Sequence, residues 1–139
     1  MVSLGLEDKV VLVTGGNRGI GAAIVSLLEE LGAKVAYTQR SSISSINGQH
    51  GAIAIQADVT DKAAMEAVAE QVEQKLGSIY GIVANAGITQ DNFFPKLTTQ
   101  DWDAVINTNL KGVYNTLMPV IPKMYERKEG SVVCISSIS

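Results

Sequence analysis

Cysteine and histidine are almost missing from this chain, and each absence restricts its chemistry. Its one cysteine, Cys134, has no partner for an internal disulfide, so a covalent scaffold is excluded and a reducing, cytoplasmic setting is the expectation. Its one histidine, His50, has no ligand-like neighbours in a Ser-, Gly- and Gln-rich stretch, so it reads as a solvated loop residue and no metal site is expected. Long apolar runs are also lacking. None approaches the roughly 20 residues of a membrane-crossing helix, and no basic, then apolar, then small-residue leader opens the chain. Clustered basic residues are absent too: 11 Lys and Arg face 14 Asp and Glu, a net charge of −3. A nucleic-acid partner would want the opposite balance. The expectation is a soluble protein with neither a membrane nor a nucleic-acid partner.

What is present is the composition of a globular domain. Hydrophobic residues make up 46% of 139 positions, enough for one real core, and no linker or repeat divides the chain, so residues 1–139 read as one domain. Apolar runs alternate with helical stripes. Val10–Val13, Lys34–Thr38, Ala52–Ala57, Ile79–Ala84 and Ser131–Ile135 read as strands. Ile20, Ile24, Leu27, Leu28 and Leu31 recur at helical spacing and Gly32 stands where a C-cap belongs. Met65, Val68, Val72 and Leu76 form a second stripe closed by Gly77, with Glu66, Glu70 and Glu73 read as its solvated face. Residues 41–51 and 88–98 read as loops. Thr98 and Asp101 have capping-box spacing, opening a helix over about 99–109. Another is expected over about 111–127, kinked by Pro119 and Pro122. Cys134, inside a strand, reads as a small core residue. Strands alternating with helices imply right-handed parallel crossovers and an α/β, doubly wound sheet.

Residues 9–21 carry the strongest signal. A short apolar run stops at Thr14, glycines stand at 15, 19 and 21, and a helix begins at once. That arrangement brings backbone N–H groups and a helix N-terminus against a pyrophosphate. The spacing is Gly-xxx-Gly-x-Gly rather than Gly-x-Gly-xx-Gly, so a merely glycine-rich turn stays open as an alternative. An NAD site usually places an acid about 20 residues on, for the ribose 2′-hydroxyl. From Ala33 to Ala57 there is none, and the second strand ends in Gln39 and Arg40, with Arg18 inside the turn. Guanidinium groups match phosphate with paired hydrogen bonds, so NADP is the expected cofactor.

The chain resembles the short-chain dehydrogenase/reductase family along nearly its whole length. Thr14-Gly15-Gly16-Asn17-Arg18-Gly19-Ile20-Gly21 is similar to the family's cofactor turn. Asp58-Val59 resembles its adenine-side pair, although Asp58 could equally be an acid at a helix start. Asn85-Ala86-Gly87 resembles the motif that borders the cofactor ribose. Asn109 and Ser137 align with the catalytic Asn and Ser, which implies that Asn109 helps hold a water of the proton relay and Ser137 bonds the substrate oxygen. Without the family, each would read as an amide on a helix stripe with Trp102, Val105 and Ile106, and as a small polar strand end. The stretches Ile88–Thr98 and Asp101–Ile106 are similar to acetoacetyl-CoA reductases of polyhydroxybutyrate synthesis and to 3-oxoacyl-acyl-carrier-protein reductases of fatty acid synthesis. This implies a Rossmann sheet in the order 3-2-1-4-5, an acyl-thioester substrate, the cofactor NADP and a homo-oligomer at full length.

The same resemblance implies a Tyr-xxx-Lys pair supplying the general acid and the cation that tunes it. Tyr37, Tyr80, Tyr114 and Tyr125 are followed four residues on by Ser41, Ala84, Met118 and Glu129. The expectation is therefore the N-terminal, cofactor-holding part of a longer reductase, inactive alone, with an NADP-binding module lacking catalysis as the second reading.

Overall fold

The computed structural model describes residues 3–43, 51–88 and 93–137. His50, residues 89–92 of the acyl-thioester motif and Ile138-Ser139 after the candidate serine lie outside the described residues. Five strands form one parallel sheet: β1 (Val10–Thr14), β2 (Lys34–Gln39), β3 (Ile53–Gln56), β4 (Ile79–Ala84) and β5 (Ser131–Cys134). Their order is β3-β2-β1-β4-β5, as the sequence implied.

Continuous apolar runs belong to strands covered on both faces, and β1 shows why. Leu12 pairs in register with Ala36 and Ile82, Val13 with Tyr37 and Val83. Alternate side chains thus feed two cores. Val10, Leu12, Ala36 and Ile82 pack under α2 (Lys62–Leu76), with Val120 and Met124 from further along the chain. Val11, Val13, Val35, Tyr37 and Val83 pack with Val25, Ile24 and Leu28 of α1 (Gly19–Glu30). The chain walks one way from β1 to β3 and the other way from β4 to β5. Right-handed crossovers therefore place the helices on opposite faces and leave a switch point between β1 and β4.

Local signals fix the helix ends. The α1 C-terminus closes with a Schellman pair, Ala33 N–H to Leu28 O and Gly32 N–H to Glu29 O, both 3.0 Å, with Gly32 at φ +87°. Asp61 caps α2 by accepting from Ala64 N at 3.0 Å. The expected capping box forms at α3 (Thr99–Ile106): Thr98 Oγ1 accepts from Asp101 N at 3.0 Å and Asp101 Oδ2 from Thr98 N at 3.2 Å.

Five expectations need correction. On α1 the sheet-facing residues are Gly21, Ile24, Val25 and Leu28, while Ile20 and Leu27 are exposed. The first turn must press on the loop after β1, so the glycine faces inward and the stripe rotates. The helices expected over 99–109 and 111–127 divide elsewhere. A π-turn at Asn107–Lys111 joins α3 directly to α4 (Gly112–Leu117), and the break comes before α5 (Ile121–Arg127). Pro119 and Pro122 account for it, Pro122 lying within the first two positions of α5. That wider turn also breaks the i, i+7 relation between Trp102 and Asn109, and Trp102 and Ile106 are exposed. Cys134 is exposed on an edge strand rather than in a core. Finally, Glu73 leaves the solvated face of α2. Its carboxylate accepts from Lys123 Nζ at 2.6 Å and from the backbone N–H of Ile79 at 3.2 Å. The sequence could not show that α5 returns beside α2. Among the described residues no helix is long and apolar enough to cross a membrane.

Candidate cofactor and active site

The carboxyl ends of the strands, beside the β1/β4 switch point, open into a cleft of about 520 Å³. Its near wall is the loop after β1. Gly15 has φ +64° and Gly19 φ +56°, a region that side-chain-bearing residues seldom adopt. A Cβ on Gly15 would stand 3.1 Å from Ala86 Cα, and one on Gly21 would collide with the Gly15 carbonyl. Gly21 does not line the cleft; it lets α1 pack against the loop that does.

The loop is braced from β4. Thr14 Oγ1 accepts from the backbone N–H groups of Asn85 at 3.0 Å and Ala86 at 3.1 Å. The Asn85 side-chain amide donates to Gly15 O at 3.1 Å. Asn85-Ala86-Gly87 and the glycine turn therefore hold each other across the switch point. Gly16 N–H to Thr38 O, at 3.0 Å, carries the β1–β2 pairing into the same corner.

The start of α1 faces this space without a side-chain cap and without an acid in its first turn. Its first N–H groups have no carbonyl partner within the helix, which makes a ready anion site. Arg18, just before α1, and Arg40, just after β2, line the same cleft as Asn17, Gly19 and Ile20. These features fit a dinucleotide diphosphate with an additional phosphate. The cradle is one that side chains would fill, and two cations border it.

Another wall of the cleft is residues 57–59. Asp58 Oδ1 accepts from Thr60 N at 2.9 Å and Thr60 Oγ1 at 2.8 Å. Asp58 thus shapes the turn before α2, whose N-cap is Asp61, and it lines the cleft beside Val59. Gln39 is occupied locally, its amide donating to the carbonyls of Ser41 at 3.2 Å and Ser42 at 3.1 Å.

Asn109 lies in the π-turn. Its side chain donates to Ile88 O and accepts from Ile88 N, both at 2.8 Å. The amide fastens the segment after Gly87. Its neighbour Thr108, and not Asn109, lines the cleft. Ser137 follows β5, whose pairing with β4 continues through Ile135 N–H to Ala84 O at 3.0 Å. It thus stands at the same sheet end as Asn85-Ala86-Gly87, outside the lining of the cleft. Phe93 and Phe94 are exposed. Among the described residues no cluster of His, Cys, Asp and Glu could hold a metal ion.

The structure adds Thr38, Gln39, Ser41, Ala57, Ile88 and Thr108 to the cleft residues read from sequence and gives Thr14 of the turn motif its bracing role. Thr14 carried a signal, since a hydroxyl ending an apolar strand wants a partner. The others are ordinary residue types placed there by strand ends.

The family model described as short chain dehydrogenase matches residues 9–139. An acetoacetyl-CoA reductase from Synechocystis sp. is 62% identical over 139 residues, covering 100% of this chain and 57% of that protein. One from Paracoccus denitrificans is 45% identical over 134 residues, covering 94% of this chain and 55% of its own. A 3-oxoacyl-acyl-carrier-protein reductase from Aggregatibacter actinomycetemcomitans is 40% identical over 143 residues, covering 95% and 58%. The chain therefore spans little more than half the length of these relatives. With a family model matched from residue 9 to residue 139 on a parallel 3-2-1-4-5 sheet, this chain belongs to the short chain dehydrogenase family.

Proposed function

We propose that residues 1–139 form the NADP-holding domain of a longer, cytoplasmic reductase of 3-oxoacyl thioesters, with acetoacetyl-CoA as substrate and 3-hydroxybutyryl-CoA as product. The observation that carries the cofactor reading is one cleft bordered by an uncapped helix N-terminus, Arg18 and Arg40, with no acid between Ala33 and Ala57. The substrate reading rests on the names of the relatives at 62% and 45% identity. Acyl-carrier-protein thioesters are the second reading, supported by the relative at 40%.

The backbone N–H groups of the glycine turn and the start of α1 receive the diphosphate. Arg18 and Arg40 receive the 2′-phosphate, each able to offer paired hydrogen bonds. Asp58 and Val59 border the adenine, and Asn85, Ala86 and Gly87 the ribose beyond it. Bound there, NADPH supplies hydride to the ketone carbon of the substrate. Ser137 donates a hydrogen bond to the oxygen on which charge develops. Asn109 holds the Ile88 backbone beside the reacting end. Its side chain is spent on that task, so any water it keeps for the proton relay is held by the backbone of the π-turn. No tyrosine of this chain has a lysine four residues on, so residues 1–139 do not supply a tyrosine–lysine proton donor of that pattern. The exposed apolar residues along α3 to α5, such as Leu110 and Tyr114, support a homo-oligomer of the whole protein.

Titration calorimetry tests the cofactor reading. NADPH is expected to bind more tightly than NADH, with Arg40→Ala removing about tenfold or more of that preference, the scale of a hydrogen bond to a charged group. Equal affinity for both nucleotides, unchanged by the substitution, would sink it. Nicotinamide absorbance with acetoacetyl-CoA tests the chemistry. The 139-residue chain should not turn over, and adding the downstream segment should restore activity. A folded complement that fails to do so leaves the alternative of a nucleotide-binding module without catalysis.

A further inference from the structure

We propose that Asn115 and Gly112 of α4 are positioning residues that fix the adenosine-side wall of the nucleotide cleft from behind. The inference rests on the cofactor reading above. Neither residue lines the cleft; Val59 does. The Asn115 amide donates to Val59 O at 2.9 Å from a site only 1% exposed. Its Oδ1 is buried with no hydrogen-bond partner among the described residues. A buried amide with an unmet acceptor is unfavourable, yet here it secures the carbonyl of a wall residue. Gly112 presses on the same residue: a Cβ there would stand 2.6 Å from Val59 Cγ2 and 3.1 Å from Val59 Cβ. The Val59 side chain is itself buried in the core beneath α2. Turn bonds from Thr60 to Asp58 hold the wall along the chain, and α4 holds it across the fold.

The π-turn that runs directly into α4 carries a second clamp on the cleft lining. Its Asn109, six residues before Asn115, grips Ile88. One continuous helical segment thus ties together two parts of the lining. Closely packed elements pass on a change in either clamp, because packed interiors tolerate little slack.

The test uses the protein as its gene encodes it, with two probes: adenosine 2′,5′-bisphosphate for the wall beside Val59 and reduced nicotinamide mononucleotide for the far end. Asn115→Leu keeps the branched shape and removes the donor. It is expected to weaken the adenosine probe about tenfold, in line with a lost buried hydrogen bond, and the nicotinamide probe by much less. Gly112→Ala drives a methyl into Val59 and is expected to do the same. The nicotinamide probe is the internal control, since a general loss of stability would weaken both probes alike. Equal weakening of both probes, or a lowered melting temperature with unchanged affinity for both, would overturn the inference. If the unsubstituted protein binds neither probe, the cofactor reading falls and this inference with it. Normal binding that neither substitution alters removes the inference alone.

Discussion

Strands β1 and β5 are built from the same kind of sequence and meet opposite fates. Val-Val-Leu-Val-Thr in β1 is buried at every position, whereas Ser-Val-Val-Cys in β5 is exposed at every position. The register explains the contrast. Val133 pairs with Val83, which belongs to the core under α1, yet α1 sits over β1 and β2. Among the described residues nothing covers that face of β5, and Val133 is 48% exposed. A run of valines states only what a strand can bury; its neighbours determine what it does bury. The largest contrast in stability should follow this line. Leu12→Ala is expected to cost about 2–5 kcal/mol, the range for a large core truncation. Val133→Ala in the 139-residue chain should stay within about 0.5 kcal/mol, as at most surface sites. Urea unfolding of both variants measures the difference, and equal losses would break the comparison. Repeating the pair in the protein as its gene encodes it sharpens it. A Val133 cost approaching that of Leu12 would show that a further layer covers β5 there.

The next effect sits where β1 meets the cleft. Gly21→Ala places a methyl against the Gly15 carbonyl, an overpacking expected to cost about 1–3 kcal/mol. Because Gly15 also lines the cleft, nucleotide affinity should fall together with the melting temperature. Retained affinity in a destabilised protein would separate the packing of α1 from the shape of the turn.

A smaller effect lies where the covered and uncovered halves join. Glu73 of α2 binds Lys123 of α5 and the first residue of β4, and Arg127 donates to Ile79 O at 2.9 Å. Burial pushes the Glu73 carboxyl up. The hydrogen bond from Lys123, the Ile79 N–H and the charges of Lys123 and Arg127 outweigh this and leave it below its ordinary value of 4.5. A lowered carboxyl stabilises the fold above that ordinary value, and the contribution disappears as pH falls through the lowered one. Glu73→Gln is expected to cost about 1 kcal/mol near neutrality, since the lysine is half exposed and screened. The gap to the unsubstituted chain should close in acid. A gap that persists at low pH would assign the loss to packing rather than charge. The smallest effect is expected at Lys9, whose ammonium is raised chiefly by its bond to Glu129 and which also lies over the Tyr80 ring at 4.8 Å. Both side chains are open to solvent, so Glu129→Gln should leave the melting temperature unchanged at moderate salt. A clear drop would mean that the start of β1 and the loop before β5 depend on each other more than their exposure implies.

Legibility from sequence divides along similar lines. The strands, the glycine turn, the Thr98–Asp101 box and the closing glycines were readable because each is local: period, cap and backbone freedom act within a few residues. Most of the cleft residues named from sequence line it in the structure, since strand ends of a doubly wound sheet converge at the switch point. The roles of Thr14, Glu73 and Asn115 were not readable. Thr14 meets Asn85, Glu73 meets Lys123 and Asn115 meets Val59, each at least 50 positions away, and nothing local distinguishes a clamp from a solvated side chain.

Alternation of short apolar runs with helical stripes, and glycines where the backbone needs φ above zero, determined by themselves a parallel α/β sheet with an anion-ready turn. Tertiary structure alone decided which apolar faces are covered, that α3 runs through a π-turn into α4, and that one continuous helical segment ties together two parts of the cleft lining. The physical reason is that local preferences depend on single residues, whereas burial and clamping depend on which distant segments the folded chain brings together.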